Sequence, residues 1–84
     1  MWYVYILQCC DSTLYTGVTN NIDARLHAHN HLATGAKYTR VRRPVFLVYS
    51  EICESRSLAQ KRESKIRKLS RIKKLNLIAT NQFN

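Results

Sequence analysis

The N-terminal segment constrains the fold most strongly, because its aromatic and β-branched side chains are typical of a β-strand. Along residues 2–9 neighbouring side chains point to opposite faces, so Tyr5 lies on one face and Ile6 on the other. Residues 11–13 favour a turn, and residues 14–18 form a second short strand. The pattern predicts an antiparallel hairpin, against which the rest of the chain must pack.

Capping side chains mark the starts of three predicted helices. These helices cover residues 21–31, about 57–69 and about 71–79. Their caps are residues 19–21, then Ser55 or Ser57, then Ser70. Their apolar, inward-facing residues are Ile22 and Leu26, then Leu58, Ala59, Ile66 and Leu69, then Ile72, Leu75 and Ile78.

A basic loop over residues 33–43 follows the first helix, and Pro44 then precedes a third strand over residues 45–52. The order ββαβαα predicts an α+β domain, in which helices flank a small three-stranded antiparallel sheet. We expect this domain to cover residues 1–79 and residues 80–84 to form a C-terminal tail.

The charge of the chain favours a polyanionic partner. The 84 residues carry a formal net charge of +9, and such a basic domain points first to nucleic acid. A membrane surface is the weakest alternative, because the basic helix keeps an apolar stripe that so small a core needs. No apolar run is long enough to span a bilayer, and the N-terminus does not resemble a signal peptide, so we expect a cytoplasmic protein. The three cysteines favour neither a zinc site nor a disulfide framework.

Two tyrosines on the predicted hairpin are the first candidates for chemistry. Tyr15 and Gly17 share one face of the second strand, and the missing side chain at Gly17 leaves a hollow that a phosphate backbone could approach. If Tyr5 lies across the hairpin, the two phenols converge. The alternative is that both tyrosines are ordinary half-buried strand residues and that Gly17 marks a bulge.

The first predicted helix presents Arg25 and His29 one turn apart on the same face. A guanidinium suits a phosphate or the charge of its transition state, and His29 could relay a proton or hold a phosphate oxygen. The alternative for both is a solvated helix face. His27 and His31 form a second such pair, which we interpret as surface histidines because no third metal ligand accompanies them.

Glu63 is the one acid in the strongly basic second helix. It lies at the margin of the stripe formed by Ala59 and Ile66, where a carboxylate could emerge into a cleft. Mg²⁺ needs only one or two protein carboxylates and takes its other ligands from water and substrate phosphate. Glu63 is therefore the candidate ligand of one divalent ion, and a salt bridge to a neighbouring cation is the alternative.

Two basic segments, one in the loop and one on the second helix, are typical of a groove for a phosphate backbone. The candidate nucleic-acid-binding residues are Gly17, Lys37, Tyr38, Arg40, Arg42, Arg43, Lys61, Lys65 and Lys68. A solvated cationic face is the alternative for the helical segment.

A tyrosine is a poor base at neutral pH, since the pKa of a free phenol is about 10. For Tyr5 to act as a general base, its pKa must fall by about 2–3 units. A divalent cation together with Arg25 could produce that fall. Otherwise the phenol only orients a water that the metal activates.

Together, the segments YVY, LYTG, NNIDARLHAHN and RES resemble the GIY-YIG nuclease superfamily over nearly the whole chain. The stretches GAKYTRVRRPVFLVYSE and AQKRESKIRKLSRIKKLNLI are typical of its stand-alone, single-domain bacterial branch, the YhbQ-like proteins. The chain departs from the family pattern at Tyr3, where the first motif has glycine, and at Thr16 in the middle of the second motif. Asn76 is a loose match for a late asparagine of some members.

The resemblance implies a metal-dependent endonuclease that hydrolyses DNA phosphodiester bonds in DNA repair or recombination. By the same resemblance, Tyr5 and Tyr15 position or deprotonate the attacking water, Arg25 stabilises the scissile phosphate, His29 assists, and Glu63 holds one Mg²⁺ or Mn²⁺. The alternative is a non-catalytic module that binds DNA or RNA through a vestigial site. An RNA-associated or ribosome-associated protein is a third hypothesis. We expect a monomer with no assigned protein partner.

Overall fold

A three-stranded antiparallel sheet forms the centre of the molecule. In the computed structural model, which describes residues 1–81, β1 spans Trp2–Cys9, β2 spans Leu14–Thr19 and β3 spans Val45–Cys53. The strand order is β2-β1-β3, so that β1 pairs with both neighbours. The predicted α+β architecture with an antiparallel sheet is therefore confirmed.

Four helices flank this sheet. They are α1 (Ile22–His31), α2 (Lys37–Arg40), α3 (Arg56–Arg67) and α4 (Arg71–Asn81). Three of them are the predicted helices, whereas α2 is a single turn inside the segment predicted as a basic loop. The last helix continues past residue 79 into the predicted tail, of which residues 82–84 lie outside the described residues.

Side-chain caps fix where the three longer helices begin. The Asn21 side chain accepts a hydrogen bond from the Ala24 amide at 3.0 Å. Ser55 caps α3 through the Leu58 amide at 3.2 Å, which decides between the two serines considered for this role. Ser70 caps α4 through the Lys73 amide at 3.3 Å, as predicted. Each cap satisfies one of the backbone donors that a helix start leaves unpaired.

The alternating side chains of β1 serve two different layers. Its first face, with Val4 and Ile6, packs on α3 and α4 in an apolar core. That core contains the buried residues Val4, Ile6, Tyr49, Ala59, Ile66 and Ile78. The opposite face packs towards α1 in a smaller cluster of the buried residues Tyr5, Leu7, Cys9 and Val45, with Tyr15 and Leu26 against it.

The apolar stripes predicted for α3 and α4 are wrong at three positions. Leu58, Ile72 and Leu75 are exposed by 48%, 73% and 41%. Residues on a helix turn by about 100° each, so Leu58 points away from the direction of its buried neighbour Ala59.

The residues of α4 that face the core together with Ile78 differ from the predicted ones. Ile78 is buried and Leu77 packs against the same core, while Lys74 is half-buried. These positions are spaced i, i+3 and i+4, which defines one helix face. A spacing of three residues drifts by about 60° per step, and this drift carries Leu75 and Ile72 out into solvent.

Within the described chain, we find no helix of sufficient length and hydrophobicity to traverse a bilayer.

Candidate active site

Tyr5 lies across the hairpin above Gly17. The two residues are direct partners in the register of β1 and β2. A Cβ atom built on Gly17 would collide with the hydroxyl and ring of Tyr5. The hollow expected at Gly17 for a phosphate backbone is therefore filled by the Tyr5 side chain, and Gly17 gives room to the phenol instead of to nucleic acid.

Tyr15 joins Tyr5 on this face of the sheet. It pairs with Leu7 in the register, which places it diagonally next to Tyr5. The ring centroids of the two tyrosines are 6.5 Å apart. The structure thus brings the two phenols together, and the bulge considered at Gly17 does not occur, since the register of β1 and β2 is continuous from Tyr3 to Gln8.

His29 lies beneath the two phenols and is fully buried. Its Nε2 atom is 2.8 Å from the Tyr5 hydroxyl, and its Nδ1 atom is 2.8 Å from Oγ1 of Thr39. The Thr39 hydroxyl donates its proton to the Ala36 carbonyl at 2.9 Å, so Oγ1 must accept from Nδ1–H. The Nε2 atom is then the acceptor, and the Tyr5 hydroxyl donates to it.

This hydrogen-bond chain corrects the role expected for His29 towards phosphate. Both ring nitrogens are occupied inside the protein and the side chain has no exposed surface, so His29 cannot hold a phosphate oxygen directly. It positions Tyr5 instead. The sequence prediction missed Thr39, because a threonine in a segment taken for a loop carries no periodic signal of burial.

The pKa values of these two groups move in opposite directions. Burial is the main cause that raises the pKa of Tyr5 to about 12, against the lowering effect of a hydrogen bond from Arg25. Burial also lowers the pKa of His29 to about 4, assisted by the charges of Arg25 and Arg43. At neutral pH both groups are uncharged. The fall in the Tyr5 pKa that general-base catalysis requires is therefore absent from the protein alone.

Arg25 reaches the same phenol from α1. Its Nη1 atom donates to the Thr34 carbonyl at 3.0 Å, which anchors the guanidinium at the end of the helix. Its hydrogen bond and its charge both lower the pKa of Tyr5. Arg25 is half-buried, so part of its guanidinium group remains available to a substrate.

Glu63 approaches Tyr5 from α3. It is half-buried, and its negative charge contributes to the raised pKa of Tyr5. Among residues 1–81 the ion pairs are Arg42 with Asp11 and Arg62 with Glu51, so the salt bridge considered for Glu63 is not formed. Arg62, the cation nearest to Glu63 in the sequence, instead places its Nε atom 2.6 Å from Oε1 of Glu51.

The donor set around Tyr5 fits one hard divalent cation. Glu63 is a carboxylate without an ion-pair partner in the described chain, and a carboxylate is the oxygen ligand that Mg²⁺ and Mn²⁺ prefer. No group of three His, Cys, Asp or Glu residues within residues 1–81 could hold a metal by itself. Glu63 would therefore hold such an ion together with water and substrate phosphate. His27 and His31 lie with ring centroids 4.8 Å apart on the exposed side of α1 and lack a third ligand there.

Two of the predicted nucleic-acid-binding arginines have structural roles. Arg43 donates to the carbonyls of His29 and Leu32 at 2.6 Å each and to Ala28 at 3.3 Å, which caps the C-terminus of α1. Arg42 pairs with Asp11 at 3.1 Å and lies 3.9 Å over the Tyr38 ring. The sequence shows that both residues are charged. It does not show their partners, because these come from segments that are distant in the chain.

The other predicted cations remain at the surface. The exposed ones are Lys37, Arg40, Lys61, Lys65 and Lys68. Tyr38 is 39% exposed, and its ring stacks against Tyr15 at a centroid distance of 6.0 Å. A groove of about 670 Å³ opens away from the tyrosines, between α1 and the start of β3. None of the five candidate catalytic residues lines it.

Comparisons with known proteins place the chain among relatives of one kind. A family model described as the GIY-YIG catalytic domain matches residues 1–76. A UPF0213 protein of Desulfotalea psychrophila is 54% identical over 81 residues, which cover 96% of this chain and 74% of the relative. A UPF0213 protein of Syntrophus aciditrophicus is 57% identical over 79 residues, covering 94% and 91%.

Two solution NMR structures share the fold. A UPF0213 protein of Bacillus halodurans matches with a TM-score of 0.61 and 42% identity, over 95% of this chain and 85% of the other. A protein of E. faecalis matches with a TM-score of 0.65 and 40% identity, over 98% and 86%.

Proposed function

Because this chain belongs to the GIY-YIG catalytic domain family, we propose that it is a metal-dependent endonuclease that hydrolyses DNA phosphodiester bonds. One observation carries the proposal. The Tyr5 phenol is the meeting point of groups from separate elements: the Tyr15 ring on β2, the Arg25 guanidinium and His29 on α1, and the Glu63 charge on α3. Phosphodiester hydrolysis is accelerated by a cationic group that stabilises the phosphate charge and by a metal ion held by an acidic group.

Arg25 is proposed to bind the scissile phosphate. A planar guanidinium matches two phosphate oxygens and stabilises the charge that develops on them in the transition state. Its anchoring to the Thr34 carbonyl supports this role, since a preorganised donor need not be oriented during the reaction.

Glu63 is proposed to hold one Mg²⁺ or Mn²⁺ ion beside Tyr5. When bound, a divalent ion supplies Lewis acidity at the phosphate and lowers the pKa of a coordinated water. At neutral pH the Tyr5 hydroxyl keeps its proton and donates it in the hydrogen bond to His29 Nε2, and its oxygen accepts from Arg25, which leaves one lone pair to orient the attacking water. The position of Tyr15 next to Tyr5 supports a share in that orientation.

A second candidate function is a non-catalytic module that binds nucleic acid. The pKa of Tyr5, raised to about 12 by burial, favours it, because a phenol that keeps its proton at neutral pH does not act as a general base. This module would retain the +9 charge of the chain and need none of the catalytic contacts.

A nicking assay on supercoiled plasmid and branched DNA separates the two functions. We expect cutting by the wild-type protein with Mg²⁺ or Mn²⁺, no cutting with EDTA, and loss of cutting in Glu63→Ala. Glu54→Ala removes the same charge from an exposed position just before α3 and serves as the matched control. Salt-sensitive binding without cutting by all three proteins would instead establish the binding module. Cutting that persists in Glu63→Ala would exclude Glu63 as the metal ligand.

A further inference from the structure

A cleft of about 380 Å³ opens beside the tyrosine pair, between β2, α2 and the last two helices. We name it the tyrosine cleft. Its lining residues are Leu14, Tyr15, Thr16, Tyr38, Arg67 and Lys74. Two aromatic rings and two cations in one opening are the side chains with which proteins hold a base and its phosphate.

The aromatic wall of the tyrosine cleft is held in place. The planes of Tyr15 and Tyr38 are inclined by 27°, with their centroids 6.0 Å apart. Arg42 lies 3.9 Å from the centre of the Tyr38 ring and is itself fixed by Asp11 and by the Tyr38 carbonyl. A fixed ring loses little freedom when a base stacks on it, and every base offers such a face.

The cations of the tyrosine cleft are not neutralised within the protein. Neither Arg67 nor Lys74 takes part in an ion pair in the described part of the chain, where the acids in such pairs are Asp11 and Glu51. An anionic group in the cleft would therefore meet positive charge without displacing an internal partner. A phosphate is the anion that accompanies a nucleic-acid base.

The tyrosine cleft adjoins the candidate active site, with which it shares Tyr15. Tyr15 lines the cleft and also contacts the rings of Tyr5 and His29, at centroid distances of 6.5 and 5.2 Å. A volume of about 380 Å³ lies at the lower end of ligand pockets and suits one nucleotide. A base inside a duplex is already stacked on both faces and must leave the helix before it can stack on a side chain.

We infer that the tyrosine cleft receives one unpaired nucleotide of the DNA strand, adjacent to the phosphate that is cut. The base packs against the aromatic wall formed by Tyr15 and Tyr38, and its phosphate lies between Arg67 and Lys74. The proposed function supplies the substrate class for this inference. The consequence is a preference for DNA that contains an unpaired segment over fully paired duplex.

The first test is binding measured by fluorescence anisotropy in EDTA, with a forked DNA and the corresponding blunt duplex. We expect the wild-type protein to prefer the fork, and Tyr38→Ala to weaken fork binding roughly tenfold, the scale of base stacking on an aromatic ring. Tyr38→Phe keeps the ring and should keep the preference. Equal binding of both DNA forms by the wild-type protein, or full preference in Tyr38→Ala, would overturn the inference.

The second test concerns the cations and uses a single-stranded oligonucleotide over a range of salt concentrations. The double variant Arg67→Ala/Lys74→Ala should flatten the slope of log K against log salt by up to about 1.4 and lose the fork preference, since each phosphate contact contributes about 0.7 on single strands. The control Arg71→Ala/Lys73→Ala removes two charges outside the cleft and should keep the preference. Loss of the preference in both double variants would contradict a specific site.

These measurements remain informative if the nuclease proposal fails, because they need no cleavage. Fork preference that depends on Tyr38 in a protein that never cuts would uphold the cleft and reject the nuclease. Metal-dependent cutting with no fork preference would do the reverse. A thermal melt shows whether each variant is folded. If Tyr38→Ala is unfolded, the fork preference of Tyr38→Phe tests the role of the ring.

Discussion

The two faces of β1 have opposite characters, although their residues alternate along one strand. Val4 and Ile6 face an apolar core under α3 and α4, whereas Tyr5 faces a buried hydrogen-bond chain that runs through His29 and Thr39 to a backbone carbonyl. The first face stabilises the fold by excluding water, and its residues could be exchanged for others of similar volume. The second face depends on particular atoms, each of which has one donor or acceptor role.

This difference teaches where stability and chemistry are located in a small domain. A chain of 84 residues has room for one substantial core, and the structure places the larger of its two apolar clusters on one face of the sheet. The opposite face can then hold buried phenol, imidazole and hydroxyl groups, provided that each one is hydrogen-bonded. Among the side chains of residues 1–80, no buried nitrogen or oxygen lacks a partner.

The largest effect on stability should come from the apolar face. Ile66 is fully buried, so Ile66→Ala should lower the free energy of unfolding by about 2–5 kcal/mol through lost burial and a cavity. Leu58→Ala, on the exposed side of the same helix, should change it by less than about 0.5 kcal/mol. Urea unfolding followed by circular dichroism measures both. Equal losses would contradict the assignment of the helix face.

On the polar face, Arg25→Ala should affect activity far more than stability. We expect kcat for DNA cleavage to fall about 10²–10³-fold, the usual effect of removing one preorganised donor from a transition state. The control Arg71→Ala removes an exposed arginine from α4 and should leave kcat within a factor of about two of wild type. Single-turnover cleavage measures the rates. A rate for Arg25→Ala near that of the control would remove Arg25 from the site.

His29 should make stability depend on pH. Its pKa in the folded protein is lowered from 6.5 to about 4, so between these values the unfolded chain binds a proton that the folded chain does not. Stability from this group is complete above pH 6.5 and is lost as the pH falls towards 4, by about 3 kcal/mol in total at 1.36 kcal/mol per pKa unit. Urea midpoints between pH 7 and pH 4 measure this slope.

Two variants separate the contribution of His29 from that of other titrating groups. His29→Gln cannot gain a proton and should show a shallower loss of stability over the same pH window. His27→Gln changes an exposed histidine one turn away from His31 and should follow the wild-type curve. Identical curves for all three proteins would show that His29 is not held neutral by burial.

The smallest expected effect distinguishes a structural cation from one that binds DNA. Arg43→Ala should lower the free energy of unfolding by about 1–2 kcal/mol, because the C-terminal carbonyls of α1 lose their donors. It should leave the salt dependence of DNA binding unchanged. Lys65→Ala should do the opposite, with stability within about 0.5 kcal/mol of wild type and a flatter salt slope. Calorimetry and binding at several salt concentrations test the pair.

Local patterns in the sequence predict most of the fold. The alternation in β1, the capping serines and the order of elements each depend on residues close together in the chain, and the structure confirms them. The short helix α2 was not predicted, since its four residues are too few to show a period. The apolar faces of α3 and α4 were partly wrong, because spacings of three residues fit more than one helix face.

The site was predicted less completely, because its contacts join distant segments. The phenols of Tyr5 and Tyr15 converge as the sequence led us to expect, and Arg25 and Glu63 both affect the pKa of Tyr5. The catalytic roles of these four residues stay predictions. The dependence of His29 on Thr39, ten residues away, could not be read from any spacing. The internal hydrogen bonds of Arg42 and Arg43 could not be predicted either, since the charge of a residue does not reveal which acceptors it will meet in the folded chain.

Because Tyr5 lies above Gly17, the register of the hairpin determines where the Tyr5 phenol points. The phenol is directed by the strand residue opposite it, so a shift of the pairing by one position would turn the neighbouring side chains to the wrong face and put a bulky residue beneath the ring. The turn over residues 10–13 sets that pairing. Apart from Asp11, which pairs with Arg42, the composition of the turn should thus be far more tolerant of substitution than its length is of insertion and deletion.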